Sequence, residues 1–386
     1  MAATKHETRG GETVAAPVRK RPFNNFRLPI SDPDYFFGRD DLLSAIQQFP
    51  FQVRILLGGR RIGKTSTLNA LRWTLLSTEE SYPNRAFPVL INLQKAQPSS
   101  LDHFRYLLIA RLREAIERTQ NDQNPRQGFQ QNRDRLMRQV SGGSVSLFGI
   151  SLNVTNPATE RRLIDEDFCQ DFLGIVKALQ KQHWLGVCFL LDGAEYIVCQ
   201  KWASNAWGYL RGLKETTNVA IEPFFGLVLS GYGNLKKYQQ ETGSPLLGIA
   251  DTRWVKSLAD SEVEALVTSR CLQENIKPDD TLLQLTKVWG GGHPYLVQQF
   301  LNAAFDNQRL EQPLPSKAWV RQLIRHQHEA DFSKWWDENK AEYGFGQIEQ
   351  TVYLALVKRQ QAVLETLAED TQFSIGETED ALEVLA

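Results

Sequence analysis

Short apolar runs alternate with stretches of helical spacing over the first two-thirds of the chain. Residues 52–57, QVRILL, are long enough for one buried strand. A glycine-rich segment follows, and 65–76 then places Leu68, Leu71 and Leu75 at helical intervals. A second apolar strand is predicted at 87–93, a long amphipathic helix at 101–118 and another helix at 165–181. Two further buried strands fall at 187–191 and 224–229. Strands that are apolar throughout are covered on both faces, and a β-α-β-α order puts them in one parallel sheet. The expected fold class is therefore α/β, a parallel sheet between layers of helices.

Beyond Ser230 the strand signals fade. Residues 261–271, 281–288 and 294–305 have helical spacing and read as a small helical lid, and the chain is helix-rich from 317 onward. Its last amphipathic segment, 378–386, has no stop signal after it, so the chain is expected to continue in a longer protein. Residues 119–162 differ in character. They are rich in Gln, Asn and Arg up to 138, then alternate polar and apolar over 144–152, which predicts an insertion with a hairpin or edge strand. Residues 1–30 mix Gly, Lys, Arg and Pro without periodicity, as a flexible tail does. The expected units are a tail (1–30), a main α/β domain (31–240), a lid (241–310) and a helical region (311–386).

Composition narrows the partners. The 386 residues are 42% hydrophobic, and 44 Lys and Arg against 45 Asp and Glu leave a net charge of -1. No global field favours nucleic acid, and the basic cluster Arg19-Lys20-Arg21 reads as part of a solvated tail or as a local contact. No run reaches the roughly 18 apolar residues of a membrane span, so no membrane partner and a cytoplasmic location are expected. Cys169, Cys188, Cys199 and Cys271 form no CxxC pair, which leaves reduced, packed thiols. His326 and His328, two positions apart, fall on different faces of a helix and make no metal pair.

The glycine-rich segment carries the chemistry. Gly58-Gly59-Arg60-Arg61-Ile62-Gly63-Lys64-Thr65, followed by Ser66, fits GxxxxGK[ST] between an apolar strand and a helix. In such a loop, backbone N–H groups turn toward phosphate oxygens, the Lys64 ammonium meets the β- and γ-phosphates, and the Thr65 hydroxyl joins a Mg²⁺ shell. The expected ligands are ATP or ADP with Mg²⁺. Asp192, at the end of a buried strand, is the expected second metal residue. A carboxylate that polarises water commonly follows directly, but position 193 is Gly, and Glu195 is the nearest candidate. Glu195 is either that catalytic group or a surface charge. Ser230 ends the fourth strand and either senses the γ-phosphate or caps a turn with Gly231 and Gly233. Arg60, Arg61 and Arg211 are solvated or stabilise charge in a neighbouring subunit.

Together these segments resemble a family. Phe37-Gly38-Arg39, GGRRIGKTS at 58–66, LLDGAEYI at 190–197, Leu229-Ser230-Gly231, Ser244-Pro245-Leu246 and GGHPYLVQ at 291–298 occur in the order seen in STAND-type signalling ATPases, close to AAA-like archaeal and bacterial ATPases. The resemblance spans roughly residues 23–305. It implies an ASCE-type P-loop domain, a helical lid and a winged-helix region, the last matched weakly by residues 373–386. It also implies that Phe37 and Gly38 flank the base, that Pro294 contacts the adenine or ribose side, and that His293 reports nucleotide state; the alternative for His293-Pro294 is a plain helix start. A nucleotide-dependent homo-oligomer acting on a protein effector or sensor is the function it implies, in bacterial defence or stress signalling. Gly193 departs from the family pattern and implies slow hydrolysis. Two alternatives stand: a DNA-associated AAA+ ATPase, such as a loader or transposition regulator, and a nucleotide-binding scaffold that does not hydrolyse.

Overall fold

The computed structural model describes residues 28–59, 61–121, 146, 147, 150, 151, 164–215, 221–232, 235, 246–273, 280–309, 348, 351, 352 and 364–385. Arg19-Lys20-Arg21, Arg60, Ser244-Pro245, His326 and His328 lie outside these residues, as does most of the 119–162 insertion and of the region from 310 to 363.

Five strands form one parallel sheet: β1 (Val53–Leu57), β2 (Ala86–Asn92), β5 (Gly186–Asp192), β6 (Phe225–Gly231) and β7 (Asp251–Trp254), in the spatial order β2-β5-β6-β1-β7. A separate antiparallel pair, β3 (Ser146–Leu147) and β4 (Ile150–Ser151), answers the hairpin expected in the insertion. Every residue of β1, β5 and β6 is buried, as their largely apolar sequences favour; Arg54, Asp192 and Ser230 are the buried polar or charged side chains among them.

Side chains alternate across each strand, so one sequence supplies two cores. Val53, Ile55, Leu57, Val187, Phe189, Leu191, Phe225, Leu227 and Leu229 face one layer. That layer is built from α4 (Leu101–Asn121), α5 (Asp165–Gln180) and α7 (Ala203–Gly212). Phe172 stands at its centre, with ring centroids 5.8 Å from Phe225 and 6.4 Å from Phe189. Leu56, Cys188, Leu190 and Val228 face the opposite layer, where Ile46 of α1 (Asp40–Gln48) and Leu68, Leu71 and Leu75 of α2 (Lys64–Leu76) cover them. Two short helices, α3 (Leu93–Ala96) and α6 (Glu195–Val198), follow β2 and β5.

The strand β7 corrects the expectation that strands end near Ser230. It is a short edge strand of sequence DTRW, polar and only partly buried, and so carries no apolar run. Its place in the sheet is secured by Arg54, which lies buried within β1. The Arg54 guanidinium donates to Phe49 O (2.7 Å) and Ala45 O (3.0 Å), and sits 3.7 Å from Asp251 of β7. Burial pulls its pKa down, and Asp251 opposes that pull. The sheet therefore extends past residue 240, where the sequence suggested that the α/β domain ends.

The segment expected as a lid holds α8 (Asp260–Gln273), α9 (Asp280–Gly290) and α10 (Pro294–Arg309), packed around Val263, Val267, Leu282, Val297 and Leu301. Further on, α11 (Leu364–Thr371) and α12 (Ile375–Leu385) form a helix-turn-helix pair. A reciprocal cap starts α12: Ser374 N donates to Glu377 Oε2 (2.9 Å) and Glu377 N to Ser374 Oγ (3.2 Å). Among the described residues no helix is long and apolar enough to cross a membrane.

The positions of two cysteines make a chemical prediction. Burial pushes the Cys188 thiol up to about 12, whereas Cys199 is exposed. Because only the thiolate attacks, a thiol reagent near pH 8 should modify Cys199 in the native protein and Cys188 only on unfolding. Mass spectrometry of labelled peptides checks this; equal labelling rates would place Cys188 outside the core.

Candidate nucleotide-binding site

The carboxyl ends of the parallel strands open on one cleft, the usual position for a ligand in an open α/β sheet. The phosphate loop leaves β1 and runs into α2, whose first two residues are Lys64 and Thr65. Thr65, Ser66, Asp192 and Glu195 all line this cleft, as do Arg61, Gly63 and Lys64.

Asp192 is 7% exposed, and its carboxylate is fully engaged. Oδ2 accepts from Thr65 Oγ1 (3.0 Å) and from Asn92 Nδ2 (3.1 Å), and Oδ1 accepts from Ser230 Oγ (2.7 Å). Strand register brings these groups together: Asn92 is paired directly with Asp192, and Leu191 with Leu229, one residue before Ser230. Ser230 thus meets the carboxylate, and its own carbonyl accepts from Ala194 N (2.9 Å).

Gly193 has φ +72°, and a Cβ there would lie 3.0 Å from Gln94 Cγ. A side chain at 193 is disfavoured by both backbone and space, which accounts for the departure noted in the sequence. The turn leads into α6, whose first residue, Glu195, faces the cleft. Glu195 Oε1 accepts from Gln94 Nε2 at 2.9 Å. The carboxylate is half-buried and paired across the cleft floor rather than spread over open surface.

Both cations of the described loop meet tyrosine rings. Lys64 Nζ donates to Gly58 O and Gly59 O, each 2.8 Å away, and lies 3.9 Å from the centroid of Tyr232. The Arg61 guanidinium stands 4.4 Å from the centroid of Tyr295 on α10. Arg211 lies elsewhere, on α7, where it pairs with Glu215 at 3.1 Å.

The FGR segment does not line the cleft. Phe37 packs against the lid cluster. Gly38 has φ +79°, and a Cβ there would fall 2.5 Å from the Glu262 carboxylate. The Arg39 backbone N–H donates to Glu262 Oε1 (2.6 Å), and its guanidinium donates to Ile62 O in the phosphate loop (2.6 Å) and to Lys256 O before α8 (3.0 Å). Burial lowers the Arg39 pKa to about 10, so the group remains a cation at neutral pH. Arg39 is thus a brace between loop and lid.

Pro294 is the first residue of α10 and also lines the cleft, so the helix-start reading and the ligand-facing reading describe one geometry. His293 immediately precedes it, accepts through its carbonyl from Val297 N (2.9 Å) and is not among the lining residues. Sequence reasoning missed Gln94, Asn92, Tyr232, Tyr295 and Gln298. Of these, Asn92 and Tyr232 carried a usable signal, since each lies within three residues of the end of a predicted strand; Asn92 ends β2 and Tyr232 directly follows β6.

The fold is similar to that of a Walker-type ATPase of Pyrococcus abyssi, with a TM-score of 0.54 and 16% identity over 95% of this chain and 100% of that one. It is also similar to the ORC2 protein of Aeropyrum pernix in its ADPNP–ADP complexes, with a TM-score of 0.52 and 12% identity over 95% and 89% of the two chains. The ADP form of ORC2 gives a TM-score of 0.50 at 12% identity, over 95% and 88%. No protein-family profile and no curated protein matches the sequence. The class defined by these likenesses is the P-loop ATPase fold, and the activity rests on the site's own chemistry.

The site predicts two separable effects. Asp192→Asn should weaken nucleotide binding roughly tenfold with Mg²⁺ and little in chelator; equal losses in calorimetry would remove Asp192 from a metal site. Glu195→Gln should retain binding and slow phosphate release by about a hundredfold; release at the wild-type rate would make Glu195 a bystander.

Proposed function

We propose that the chain binds ATP with Mg²⁺ in this cleft and acts as a STAND-type switch that hydrolyses slowly, assembles when ATP is bound and controls an effector or sensor partner. The observation that carries this reading is the shared ownership of the cleft. The phosphate loop forms one side and lid helix α10 contributes Pro294, Tyr295 and Gln298 to the other. A ligand that fills the cleft touches both, and Arg39 already connects them through Ile62 and Lys256. Differential contact with two movable parts is what allows a ligand to shift a conformational equilibrium.

The residues fit Mg²⁺. A threonine hydroxyl and a carboxylate already within 3.0 Å of each other at a helix N-terminus make a hard-oxygen pair. A Mg²⁺ ion held by these two groups would take its remaining oxygens from phosphate and water. When bound, the ion neutralises charge on the phosphate oxygens. Lys64 would hold the β- and γ-phosphates, Thr65 and Asp192 the ion, Ser230 the orientation of Asp192, and Glu195 the attacking water. The reading is of a cytoplasmic protein, with bacterial defence or stress signalling as its setting.

The rival reading is a DNA-associated AAA+ ATPase, and the α11–α12 helix-turn-helix pair favours it. Against it, residues 364–385 carry Glu365, Glu369, Asp370, Glu377, Glu379, Asp380 and Glu383 and no Lys or Arg, a poor match to a phosphate backbone. A steep fall of DNA affinity with salt would support the rival.

Solution mass by light scattering separates the readings. Wild type with ATPγS and Mg²⁺ should gain mass relative to ADP, and Lys64→Ala should not. Wild type that remains one mass in both nucleotides, while binding them, would defeat the assembly switch.

A further inference from the structure

The lining of the cleft is of two chemical kinds. Lys64, Thr65 and Asp192 are suited to phosphate and cation, whereas Leu28, Pro29, Ile30 and Pro294 bring apolar surface to it. Ile30 is pinned to α2 on both sides of its peptide: its N–H donates to Ser66 Oγ (3.0 Å), and its carbonyl accepts from Asn69 Nδ2 (2.7 Å). The apolar wall is therefore held by the same helix that carries Lys64 and Thr65. A flat aromatic base is the part of a nucleotide that suits such walls.

Gln298 lies one helical turn beyond Pro294 on α10 and also lines the cleft. It is 6% exposed, and among the described residues its amide makes no hydrogen bond. A primary amide has two donors and an acceptor, and such groups when buried are normally satisfied. An amide that lines a cleft without a protein partner is placed to pair with whatever occupies the cleft.

Resting on the nucleotide-binding reading above, we infer that Gln298 selects the base, pairing with the edge of adenine that carries the 6-amino group and N7. The amide oxygen accepts from the amino group while its N–H donates to N7. That edge of guanine offers two acceptors, O6 and N7, so one half of the amide is left without a partner. The lid thereby reads the base with Gln298 while the loop reads the phosphates, and the identity of the nucleotide is sensed by the element that moves.

Calorimetry with Mg²⁺ complexes of ATP, GTP, 7-deaza-ATP and tripolyphosphate tests this on wild type, Gln298→Leu and Lys64→Ala. Wild type should prefer ATP to GTP and to 7-deaza-ATP by about tenfold or more. Gln298→Leu should bind ATP about tenfold more weakly, bring all three nucleotides to within about twofold of one another, and leave tripolyphosphate binding unchanged. Lys64→Ala should lose tripolyphosphate. Equal wild-type affinity for ATP and GTP, or for ATP and 7-deaza-ATP, would overturn the inference. So would an unchanged ATP:GTP ratio in Gln298→Leu, or an equal loss of tripolyphosphate, which would mean the variant has only damaged the lid. A wild type that binds neither ATP nor tripolyphosphate would instead defeat the nucleotide reading itself.

Discussion

A carboxylate taken out of water at the end of a buried strand needs hydrogen-bond donors, and the arrangement of this sheet serves to deliver them to Asp192. The donors come from separate parts of the chain: Thr65 from the helix after the loop, Asn92 from β2 and Ser230 from β6. They converge because β2, β5 and β6 are parallel and adjacent, so their carboxyl ends finish side by side. Moving β6 elsewhere in the sheet would remove Ser230 from Asp192. Slipping β2 by one residue would turn Asn92 to the other face. The site is thus a consequence of register, and the two apolar cores on either side of the sheet are what hold that register.

A second constraint connects the site to the lid. Phosphate loops turn on glycine and are held by little of their own packing, so an external hold on the loop matters. Arg39 supplies one by donating to Ile62 O, and the same guanidinium reaches Lys256 O at the root of α8. Glu262 locks the brace from the other side. Its Oε1 accepts from Arg39 N while its Oε2 accepts from Ala259 N at the start of α8. Only a glycine at 38 allows that carboxylate to approach so closely. The FGR segment therefore joins the phosphate loop to the root of α8, and a shift of that helix relative to the loop would have to break one of these bonds.

The strands β1, β2, β5 and β6 and the helices α2, α4 and α5 were legible because burial on both faces or on one leaves a strong periodic signature. The strand β7 was not, because a short edge strand needs no apolar run and its anchor, Arg54, is a charge hidden inside an apolar strand. Lys64, Thr65 and Asp192 were legible because each sits in a motif whose spacing the backbone enforces. Gln94, Tyr295 and Gln298 were not, since polar and aromatic residues on a helix look the same in sequence whether they face the cleft or solvent. The Ser374–Glu377 cap was visible as S-x-x-E and marks the start of α12, although the sequence reading placed the start of the last helix at 378.

In the hydrolysis proposed above, the turn at Gly193 decides which carboxylate meets the water. The positive φ and the approach of Gln94 keep a side chain out of 193, so the carboxylate that this turn brings to the cleft is Glu195, at the head of α6. One of its oxygens is committed to the Gln94 amide at 2.9 Å, and a carboxylate stabilised by a donor is a weaker base than a free one. Activating water from this arrangement requires Glu195 either to act through its other oxygen or to release Gln94 first. Gln94 sits on α3, directly after β2, and Asn92 at the start of that helix bonds both Asp192 and Lys95 N. Asn92 therefore links Asp192, which would hold the cation, to the helix that carries Gln94, the partner of Glu195. Asp192 and Glu195 are thus connected through Asn92 and α3, a link that would restrain Glu195 in the hydrolysis proposed above.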